Sequence, residues 1–371
     1  MDIVIFYSII IKNTMIVKNI TAIQYFQERF DVIDVPYQYT VDYHPDAPQK
    51  TFTTNPTSVA EFHDCLTHSL PLIVTNENHL ITSHVWPLLH NTRHKPHKTH
   101  ELWRTWGENI DVNLPAAHKQ FSENYKYVWL PIDEHSANNA WHIWIDVISK
   151  FRLVEKKFSH KYTDFIYVLS NASEYFDRVA RELFPELRYY VMPKNTTWKF
   201  DHLLAPSMSN HEDGVTVPEM VKWLRHKFGE KLNPTKKIFI SRDDAPARKL
   251  INAEEVFMAL QGWETVTLSG MGIKQQIELF SAASHVISTH GAGLANLLWC
   301  PVGGKVVEIS QKELLEKKVY PVLSHHLGLE HRVVLADKVA LSSNKKVPGV
   351  KRLKDYNDLR LDVKILQDLL N

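Results

Sequence analysis

From residue 126 onward, short apolar runs alternate with amphipathic stretches, and this alternation constrains the fold more than any other feature of the chain. KYVWLPI, DFIYVLS and RYYVMP are typical of strands, and NNAWHIWIDVISKFRLVEKK and ASEYFDRVARELF between them have helical spacing. After VPEMVKWLRHKFGEKL, helical stretches separate the apolar runs KIFIS, ETVTL, HVIST, KVVEIS and RVVLA. Such alternation predicts parallel sheets covered by helices on both faces. The fold class is therefore predicted to be α/β.

The length of the chain indicates more than one domain. Its 371 residues exceed the size at which a single hydrophobic core keeps growing. The segment KNTTWKFDHLLAPSMSNHEDG (194–214) is rich in polar residues and turn formers and interrupts the alternation, so it is the best candidate for a domain crossing. We predict an N-terminal domain over 1–195 and a C-terminal domain over 196–371, with a cleft between them and a closing helix in DYNDLRLDVKILQDLL.

Charge and cysteine content narrow the classes of partner. Lys plus Arg (43) nearly equals Asp plus Glu (42), so no overall field favours nucleic acid or an anionic membrane as the main partner, and any basic site must be local. Cys65 and Cys300 have no neighbouring thiol that would form a metal knuckle or redox pair. They suit a reducing compartment, although one disulfide between them stays open.

The apolar N-terminus, MDIVIFYSIIIKNTMIVKN, raises the question of export. Lys12 and Asn13 interrupt it, it falls short of the ~20 apolar residues that span a bilayer, and no small-residue cleavage site follows a basic start. We predict a buried first strand, or in part a start-site extension before Met15, with a signal or anchor as the alternative. The expected location is the cytoplasm, including the inner face of a membrane, where peripheral association is an option.

A histidine-rich segment, HNTRHKPHKTHELW, could in principle hold a metal ion through His90, His94, His97 and His100. Pro96 breaks the helix that would align these side chains, and no cysteine joins them. We therefore predict a solvated basic loop.

Ligands of open α/β sheets bind beyond the carboxyl ends of the strands, and one such strand exit is HVISTHGAGLAN. Gly291 and Gly293 follow the strand and precede an apolar helix, whose first N–H groups and dipole favour a phosphate. Asn296 stands where a dinucleotide fingerprint carries its third glycine, and a lone Gly-x-Gly is a weak signal. A tight turn without a ligand is thus the alternative.

The loop after KIFIS provides a second exit. Arg242, Arg248 and Lys249 lie on it, and two guanidinium groups could grip a diphosphate bidentately. The alternative is that the arginines pair on the surface with the two aspartates of the same loop. Asn252 and Glu255 predict a capping box at the start of the next helix.

At the third exit, Glu308 ends the strand KVVEIS, where a carboxylate can accept both hydroxyls of a ribose. An exposed strand-end glutamate without a ligand is the alternative. Together the three exits predict a site for a nucleoside diphosphate.

His142 and Asp146 are four residues apart, so on a helix they share one face. Such a pair in aromatic surroundings can provide a general base, although a simple helix hydrogen bond is the alternative. No Asp-x-Asp sequence is present to hold a divalent ion. We therefore expect no metal and no cofactor, with arginines neutralising the diphosphate.

The order of NNAWHIWID, ISRDDAPARKLINAEEV and IKQQIELFSAASHVISTHGAGLANLLWCPVGGKVVEI resembles glycosyltransferase family 61. This family includes capsule and cell-wall sugar transferases of bacteria and plants and O-linked sugar transferases of animals. The resemblance covers roughly residues 126–336, and the first 120 residues contribute almost nothing. It implies two Rossmann-like domains in a GT-B arrangement, an inverting mechanism, a nucleotide-sugar donor, with a UDP-sugar expected, and a glycan or polysaccharide acceptor.

The resemblance also implies roles for single residues. It matches His142 and Asp146 to the His and Asp that the family carries near the cleft, and of the two we predict Asp146 as the catalytic base. The positions it assigns to the donor, together with Lys249 of the same loop, are Arg242, Arg248, Asn252, His290, Gly291, Ala292, Gly293 and Glu308.

Two other functions are open at this stage. Gly-Ala-Gly after a strand and Glu308 at the next strand end would also suit an NAD-dependent dehydrogenase, although such a site needs no arginine pair. The third possibility is a non-catalytic module that binds a nucleotide or glycan.

Overall fold

The computed structural model describes the chain over most of its length. The described residues are 8–11, 14–23, 33–34, 38–42, 44–45, 50–54, 57–69, 72–75, 79–81, 109–122, 126–132, 137–207, 216–245, 247–315, 318–339 and 357–370. Helices and several sheets alternate along them, so the α/β prediction is confirmed. The histidine-rich segment 90–100 lies outside these residues.

The strands are numbered along the chain, and their bounds are β1 (Ser8–Ile11), β2 (Thr14–Ile23), β3 (Gln38–Val41), β4 (Lys50–Thr53), β5 (Val59–His68), β6 (Leu72–Val74), β7 (His79–Ile81), β8 (Asn109–Pro115), β9 (Ala117–Phe121), β10 (Tyr127–Leu130), β11 (Ile166–Leu169), β12 (Arg188–Val191), β13 (Thr197–Pro206), β14 (Lys236–Ile240), β15 (Glu264–Val266), β16 (Ala283–Thr289), β17 (Lys305–Ser310), β18 (Glu330–Leu335), β19 (Asp337–Val339) and β20 (Asp358–Arg360).

The α-helices are numbered in the same way: α1 (Ala140–His142), α2 (Lys150–Phe158), α3 (Glu174–Leu183), α4 (Pro218–Phe228), α5 (Ala253–Ala259), α6 (Ile273–Ser281), α7 (Val319–Leu327) and α8 (Val363–Leu370). A π-helical segment, Ile143–Ile148, joins α1 to α2. Three 3₁₀ helices complete the set: Tyr162–Asp164, Ala292–Trp299 and Lys312–Leu314.

The helices begin where the local sequence provides a start signal. Ser173 caps α3, since its hydroxyl accepts a hydrogen bond from the Phe176 N–H at 2.9 Å. Asn139 does the same for α1 through the Trp141 N–H. Pro218 occupies the first turn of α4, where its missing N–H costs nothing.

Two compact units divide the chain. The first comprises Met1–Pro36 and Asn55–Glu212, and the second comprises Tyr37–Thr54 and Asp213–Asn371. The division at 212/213 lies inside the segment 194–214 predicted to contain the domain crossing, but later than 195/196, because that segment includes β13, which pairs with three strands of the first unit. The GT-B arrangement of two domains across a cleft stays a prediction.

The first unit contains an 11-stranded sheet among its described residues, with the path β1-β2-β7-β6-β5-β13-β10-β11-β12 and with β8 and β9 paired to β2 and β13. The strands β13, β10, β11 and β12 are mutually parallel, with α1, α2 and α3 in the connections. Toward the other edge the pairing becomes mainly antiparallel. One face of the central strands buries an aromatic core that includes Trp129, Trp198 and Phe200.

The N-terminal apolar stretch forms the hairpin of β1 and β2 within its described part, which confirms a strand there. No helix among the described residues is both long enough and apolar enough to cross a membrane.

A buried ion pair ties the segment around Asp34 to α2. Arg152 donates from Nη1 and Nη2 to the two Asp34 oxygens at 2.6 and 2.8 Å, and the Thr57 hydroxyl adds a bond of 2.6 Å. Burial alone would raise the pKa of Asp34, but the bonds from Arg152 and Thr57 outweigh it and lower that pKa. The carboxylate is therefore stabilised in its charged form.

We expect Arg152→Met to destabilise the first unit by up to about 3–5 kcal/mol, because the substitution leaves the buried Asp34 carboxylate with only the Thr57 hydroxyl and the more distant Lys156 ammonium as partners. Urea denaturation followed by circular dichroism measures this loss. Arg181→Met, at an exposed position of α3, is the matched control and should change stability little. A loss equal to that of the control would show that the Asp34 pair does not hold this region.

In the second unit, the main sheet is parallel and has the order β15-β14-β16-β17-β18. Counted along the chain this is the order 2-1-3-4-5 of a doubly wound sheet. Its core includes Phe239, Ile287 and Val307. The direction of chain progression reverses between β14 and β16, so their carboxyl ends form the switch point where ligands of such sheets bind.

A hairpin from the N-terminal part of the chain, β3 with β4, belongs to the second unit. Tyr39 and Phe52 of this hairpin are buried with Val322 of α7 and Val333 of β18. The alternation of exposed and buried positions in β3 explains this packing, because a strand presents one apolar face. The N-terminal segment thus contributes to the core of both units.

Candidate functional site

Two of the predicted strand exits meet at the switch point of the second unit. Ile240 at the end of β14 pairs with Ser288 of β16. Arg242 and His290 each follow two residues later. The parallel register therefore brings the loop after β14, which contains Arg242 and Arg248 (the arginine loop), beside the loop after β16, which contains Gly291 and Gly293 (the glycine loop). A small hollow there is lined by Ser241, Arg242 and Thr289, among others.

The Arg242 guanidinium lies directly against Gly291. A Cβ atom at position 291 would come within 2.1 Å of Arg242 Nη1 and 2.9 Å of its Cζ. The φ angle of Gly291 is 170°, an extended value open to any residue, so glycine is required here by the close approach of the arginine. The guanidinium is thereby held at the entrance of the Ala292–Trp299 helix.

Arg242 has hydrogen-bonding capacity left over. Its Nη2 donates to the Ala247 carbonyl at 3.4 Å, while the buried Nε has no partner among the described residues. Burial, and then the charge of Arg248, lower the pKa of Arg242 to about 10. Two guanidinium groups held close together at this edge suit an anion with more than one negative charge.

The two aspartates of the loop were the alternative partners of these arginines. Asp243 instead accepts from the Ser241 hydroxyl at 2.7 Å, and its carbonyl accepts from Lys249 Nζ at 2.5 Å. Arg248 adopts a φ of 61°, a left-handed conformation that is uncommon for a residue with a side chain. The loop is thus tightly folded on itself.

The glycine loop is anchored from below by a buried amide chain. Asn296 donates to Gln276 Oε1 at 3.0 Å and accepts from Trp299 Nε1 at 3.1 Å, and Gln276 donates to the Met271 carbonyl at 3.0 Å. The helix that begins at Ala292 is 3₁₀ in form, where the sequence predicts an ordinary helix over LANLLWC. Asn296 therefore stabilises this turn through side-chain hydrogen bonds, which the third glycine of a dinucleotide fingerprint could not form.

Glu308 lies on the neighbouring strand and is 2% exposed. Its Oε1 is hydrogen-bonded to His290 Nδ1, and its Oε2 to His331 Nε2 at 3.0 Å. Burial alone would raise the pKa of Glu308, but the two histidines hold it well below its usual range. Both carboxylate oxygens, which the sequence assigns to a ribose, are thus engaged with histidines in this structure.

Two further side chains complete this cluster. The Ser324 hydroxyl lies 2.7 Å from His331 Nδ1, and the Tyr320 ring packs edge-on against His290 with centroids 5.2 Å apart. Burial, and then the charge of Glu308, raise the pKa of Tyr320, whereas both arginines act in the opposite direction. Tyr320 therefore lies within electrostatic reach of the carboxylate and the guanidinium groups.

The predicted His142 and Asp146 pair forms in the first unit. His142 Nδ1 lies 2.7 Å from Asp146 Oδ2, and the His142 side chain is 22% exposed. Asp146 lies in the π-helical segment, whose wider turn is marked by the bond from the Ser149 N–H to the Trp144 carbonyl. Single π-helical turns inside helices occur frequently at functional sites. Asp146 Oδ1 is buried and has no partner among the described residues.

Comparison with known proteins agrees with the sequence resemblance to glycosyltransferase family 61. Residues 140–307 match the family model described as Glycosyltransferase 61. This region is thus similar in sequence to glycosyltransferase family 61. A stretch of 116 residues is 28% identical to the beta-1,2-xylosyltransferase RCN11 of Oryza sativa subsp. japonica. The alignment covers 26% of this chain and 22% of the rice protein.

Within the family 61 region the structure brings together Arg242, His290 and Gly291, with Arg248 close enough for its charge to act on Arg242. Lys249 is bound to a carbonyl of its own loop.

Asn252 differs from expectation. It makes no cap bond to a helix N–H, so the capping box with Glu255 is not formed. Its side chain instead donates to Glu255 at 3.0 Å and to the Leu361 carbonyl at 2.8 Å, and it accepts from the Leu361 N–H. Asn252 thus ties the C-terminal segment to α5, and these three bonds engage the amide that was expected to contact a donor.

His331, Ser324 and Tyr320 were missed by sequence reasoning. The matched family 61 region ends at residue 307, and these residues lie beyond it. The sequence indicates only which elements carry them. His331 lies on the strand after KVVEIS, and Ser324 and Tyr320 lie on the helix that connects the two strands. Which of them reaches Glu308 depends on the packing of α7 against the sheet.

The Glu308 cluster predicts a specific acid sensitivity. The folded-state pKa of Glu308 lies below its usual value of 4.5, so its stabilising contribution is present above that pH and is lost as the pH falls. Glu308→Gln should remove this dependence, reducing the acid slope of the unfolding free energy by up to about 1.4 kcal/mol per pH unit. Urea denaturation over the range below pH 5 measures the slope. Identical slopes in wild type and variant would contradict the assignment.

Proposed function

We propose that the chain is an inverting glycosyltransferase that moves a sugar from a nucleoside-diphosphate sugar to a hydroxyl of a glycan or polysaccharide acceptor. A UDP-sugar is the proposed donor. The observation that supports this most is the Arg242 guanidinium held against Gly291 at the switch point, with a buried donor atom left over. The family 61 match of residues 140–307 supports the same reaction class.

The diphosphate would bind where Arg242 meets the start of the Ala292–Trp299 helix. The first N–H groups of a helix have no partner within the helix, and its dipole is positive at this end. Together with Arg248 these groups neutralise the leaving diphosphate as the glycosidic phosphate bond breaks. The donor set is cationic, so it is suited to the anion itself and does not require a divalent ion.

His290 is proposed to donate a hydrogen bond to the diphosphate. Glu308 accepts from its Nδ1, and Nε2 is the atom that would donate to the ligand. A carboxylate at Nδ1 favours the doubly protonated ring, whose Nε2–H is a charge-assisted donor. His331 holds the other Glu308 oxygen and so positions the carboxylate.

Asp146 is proposed as the general base. In a single displacement its carboxylate removes the acceptor hydroxyl proton while the acceptor oxygen bonds to the anomeric carbon and the diphosphate departs with its bonding electron pair. Attack from the side opposite the leaving group inverts the anomeric configuration. Hydrogen bonding from His142 to Oδ2 would leave Oδ1 as the oxygen that takes the proton.

Binding can be tested with thermal-shift titrations of the purified chain against UDP, GDP, CMP, UDP-xylose, other common nucleotide sugars and NAD, each with and without EDTA. UDP-xylose is included because the aligned rice protein is named a xylosyltransferase. A ligand at 100 times its dissociation constant should stabilise the protein by about 2.7 kcal/mol. Stabilisation by a nucleoside diphosphate that EDTA does not change supports the proposal. Stabilisation by NAD alone would indicate a dehydrogenase.

Gly291→Ala tests the arginine contact itself. The new Cβ would collide with the end of a flexible side chain, so we expect the variant to fold normally but to displace Arg242 and bind UDP at least about tenfold more weakly. Isothermal titration calorimetry measures the change. Gly293→Ala is the matched comparison, because its Cβ would meet Leu268 Cδ1 at 3.1 Å and would leave Arg242 in place. Equal losses in the two variants would argue against a special role for the Arg242 contact.

A further inference from the structure

The outer face of the β5–β13 pair in the first unit carries a cluster of side chains that can bind a metal. His63 lies directly opposite His202 in the antiparallel register, and Glu61 is two residues before His63. Residues two apart on a strand share a face, so all three side chains project to the same side. Their nearest ligand atoms all lie within 4.8 Å of one another, and among the described residues this is the one such group of three or more.

The geometry within the cluster is already close. His202 Nε2 lies 3.2 Å from Glu61 Oε2, and the imidazole rings of His63 and His202 are parallel, with centroids 4.7 Å apart. The two rings and the carboxylate therefore already lie side by side on one face of the strand pair. The neutral ring is the form that ligates a metal.

We infer that Glu61, His63 and His202 form a binding site for a divalent transition metal, with Zn²⁺ as the expected ion. Two imidazoles and one carboxylate are a ligand set that Zn²⁺ takes, with water in the fourth position. Ligand atoms about 2.0–2.2 Å from the ion must come closer together than they are now. Side-chain rotation can achieve this, since Glu61 and His63 are exposed and the strand pairing fixes their backbones.

Lys157 of α2 competes with the metal for Glu61. Its Nζ lies 3.2 Å from Glu61 Oε1 and donates to the Val59 carbonyl at 2.9 Å. Lys157 and His202 each contact one of the two Glu61 oxygens, so the carboxylate is held beside the imidazoles. A bound ion would exchange this ion pair for a metal–carboxylate bond, and removing Lys157 should favour that exchange.

The inferred site is independent of the proposed transfer reaction. It uses none of the residues assigned to the donor or to the base. By linking β5 to β13, the ion would brace the junction at which the parallel strands of the first unit meet the antiparallel ones. The expected role is therefore structural.

Calorimetric titration of the full-length chain with ZnCl₂, and absorption spectroscopy with Co²⁺, test the inference. The titrations use a background in which His90, His94, His97 and His100 are alanine, so that this segment cannot supply the signal. We expect one ion per chain and a tetrahedral Co²⁺ spectrum.

Substitution of single ligands decides the assignment. His63→Ala, His202→Ala and Glu61→Gln should each weaken Zn²⁺ binding at least about tenfold, whereas His118→Ala on β9 should not change it. Lys157→Met should strengthen binding severalfold. Affinities of the ligand variants equal to that of their background, or weaker binding in Lys157→Met, would overturn the inference. Circular dichroism confirms folding, and His63→Gln and His202→Gln replace any alanine variant that does not fold.

Discussion

An Arg242→Ala variant is expected to bind UDP at least about 30-fold more weakly than the wild type and to lose transfer activity in proportion. A partly buried guanidinium bound to a diphosphate makes charge-assisted hydrogen bonds, and truncating one partner of such a pair costs about 2–5 kcal/mol. Calorimetric titration with UDP and a transfer assay measure the two losses. Arg360→Ala is the matched control, because this side chain is exposed and pairs with Glu255 on the surface.

The same substitution should leave the unliganded protein as stable as the wild type, or more stable. Burial lowers the pKa of Arg242, Arg248 adds repulsion, and the buried Nε has no partner among the described residues. Such a group is retained at a cost in folding free energy, as is common at functional sites. Strong destabilisation of the apo protein, together with unchanged UDP affinity, would identify Arg242 as a structural residue instead.

An Asp146→Asn variant is expected to reduce the rate of transfer about 10²- to 10⁴-fold while UDP affinity stays unchanged. Asparagine keeps an oxygen near His142 but cannot take up a proton, and general-base catalysis contributes a factor of this size. Single-turnover transfer assays and UDP titrations separate the two effects. An equal loss of donor binding would contradict the assignment of Asp146 as the base.

A matched control for this variant lies in the same unit. Asp177 on α3 also accepts a side-chain hydrogen bond, from the Tyr189 hydroxyl at 2.9 Å. Asp177→Asn should leave both transfer and binding intact. Burial lowers the pKa of Lys150 and Asp146 partly offsets this, which leaves it at about 8, so Asp146→Asn should also lower the pH at which Lys150 loses its proton.

Much of the secondary structure could be predicted from the local spacing of apolar residues. The strands β10, β11, β12, β14, β16, β17 and β18 and the helices between them lie where the alternation of apolar runs predicts them. The helical period and the strand period are properties of neighbouring residues, so a short window is enough to detect them. The glycine loop and the arginine loop were recognised for the same reason.

The segment 194–214 was misread because its polar residues mask a strand. Trp198 and Phe200 alternate with polar residues, and the apolar run at Leu203 follows. These side chains are buried only because β13 lies between β5 and β10. The packing of the β3–β4 hairpin in the core of the second unit could not be predicted either, since the residues that it contacts are nearly 300 residues away in the chain.

The residues of the candidate site on the strand exits could be predicted from the sequence, but the three residues of the Glu308 cluster on α7 and β18, and all the contacts within the site, depend on the fold. Strand exits could be read from the pattern, because parallel strands place their carboxyl ends at one edge of a sheet. Strand order and register then placed Arg242 against Gly291 and Glu308 between His290 and His331. These contacts depend on pairings between distant segments, and the free energy of burial that selects those pairings is a property of the whole packed unit and not of any short window.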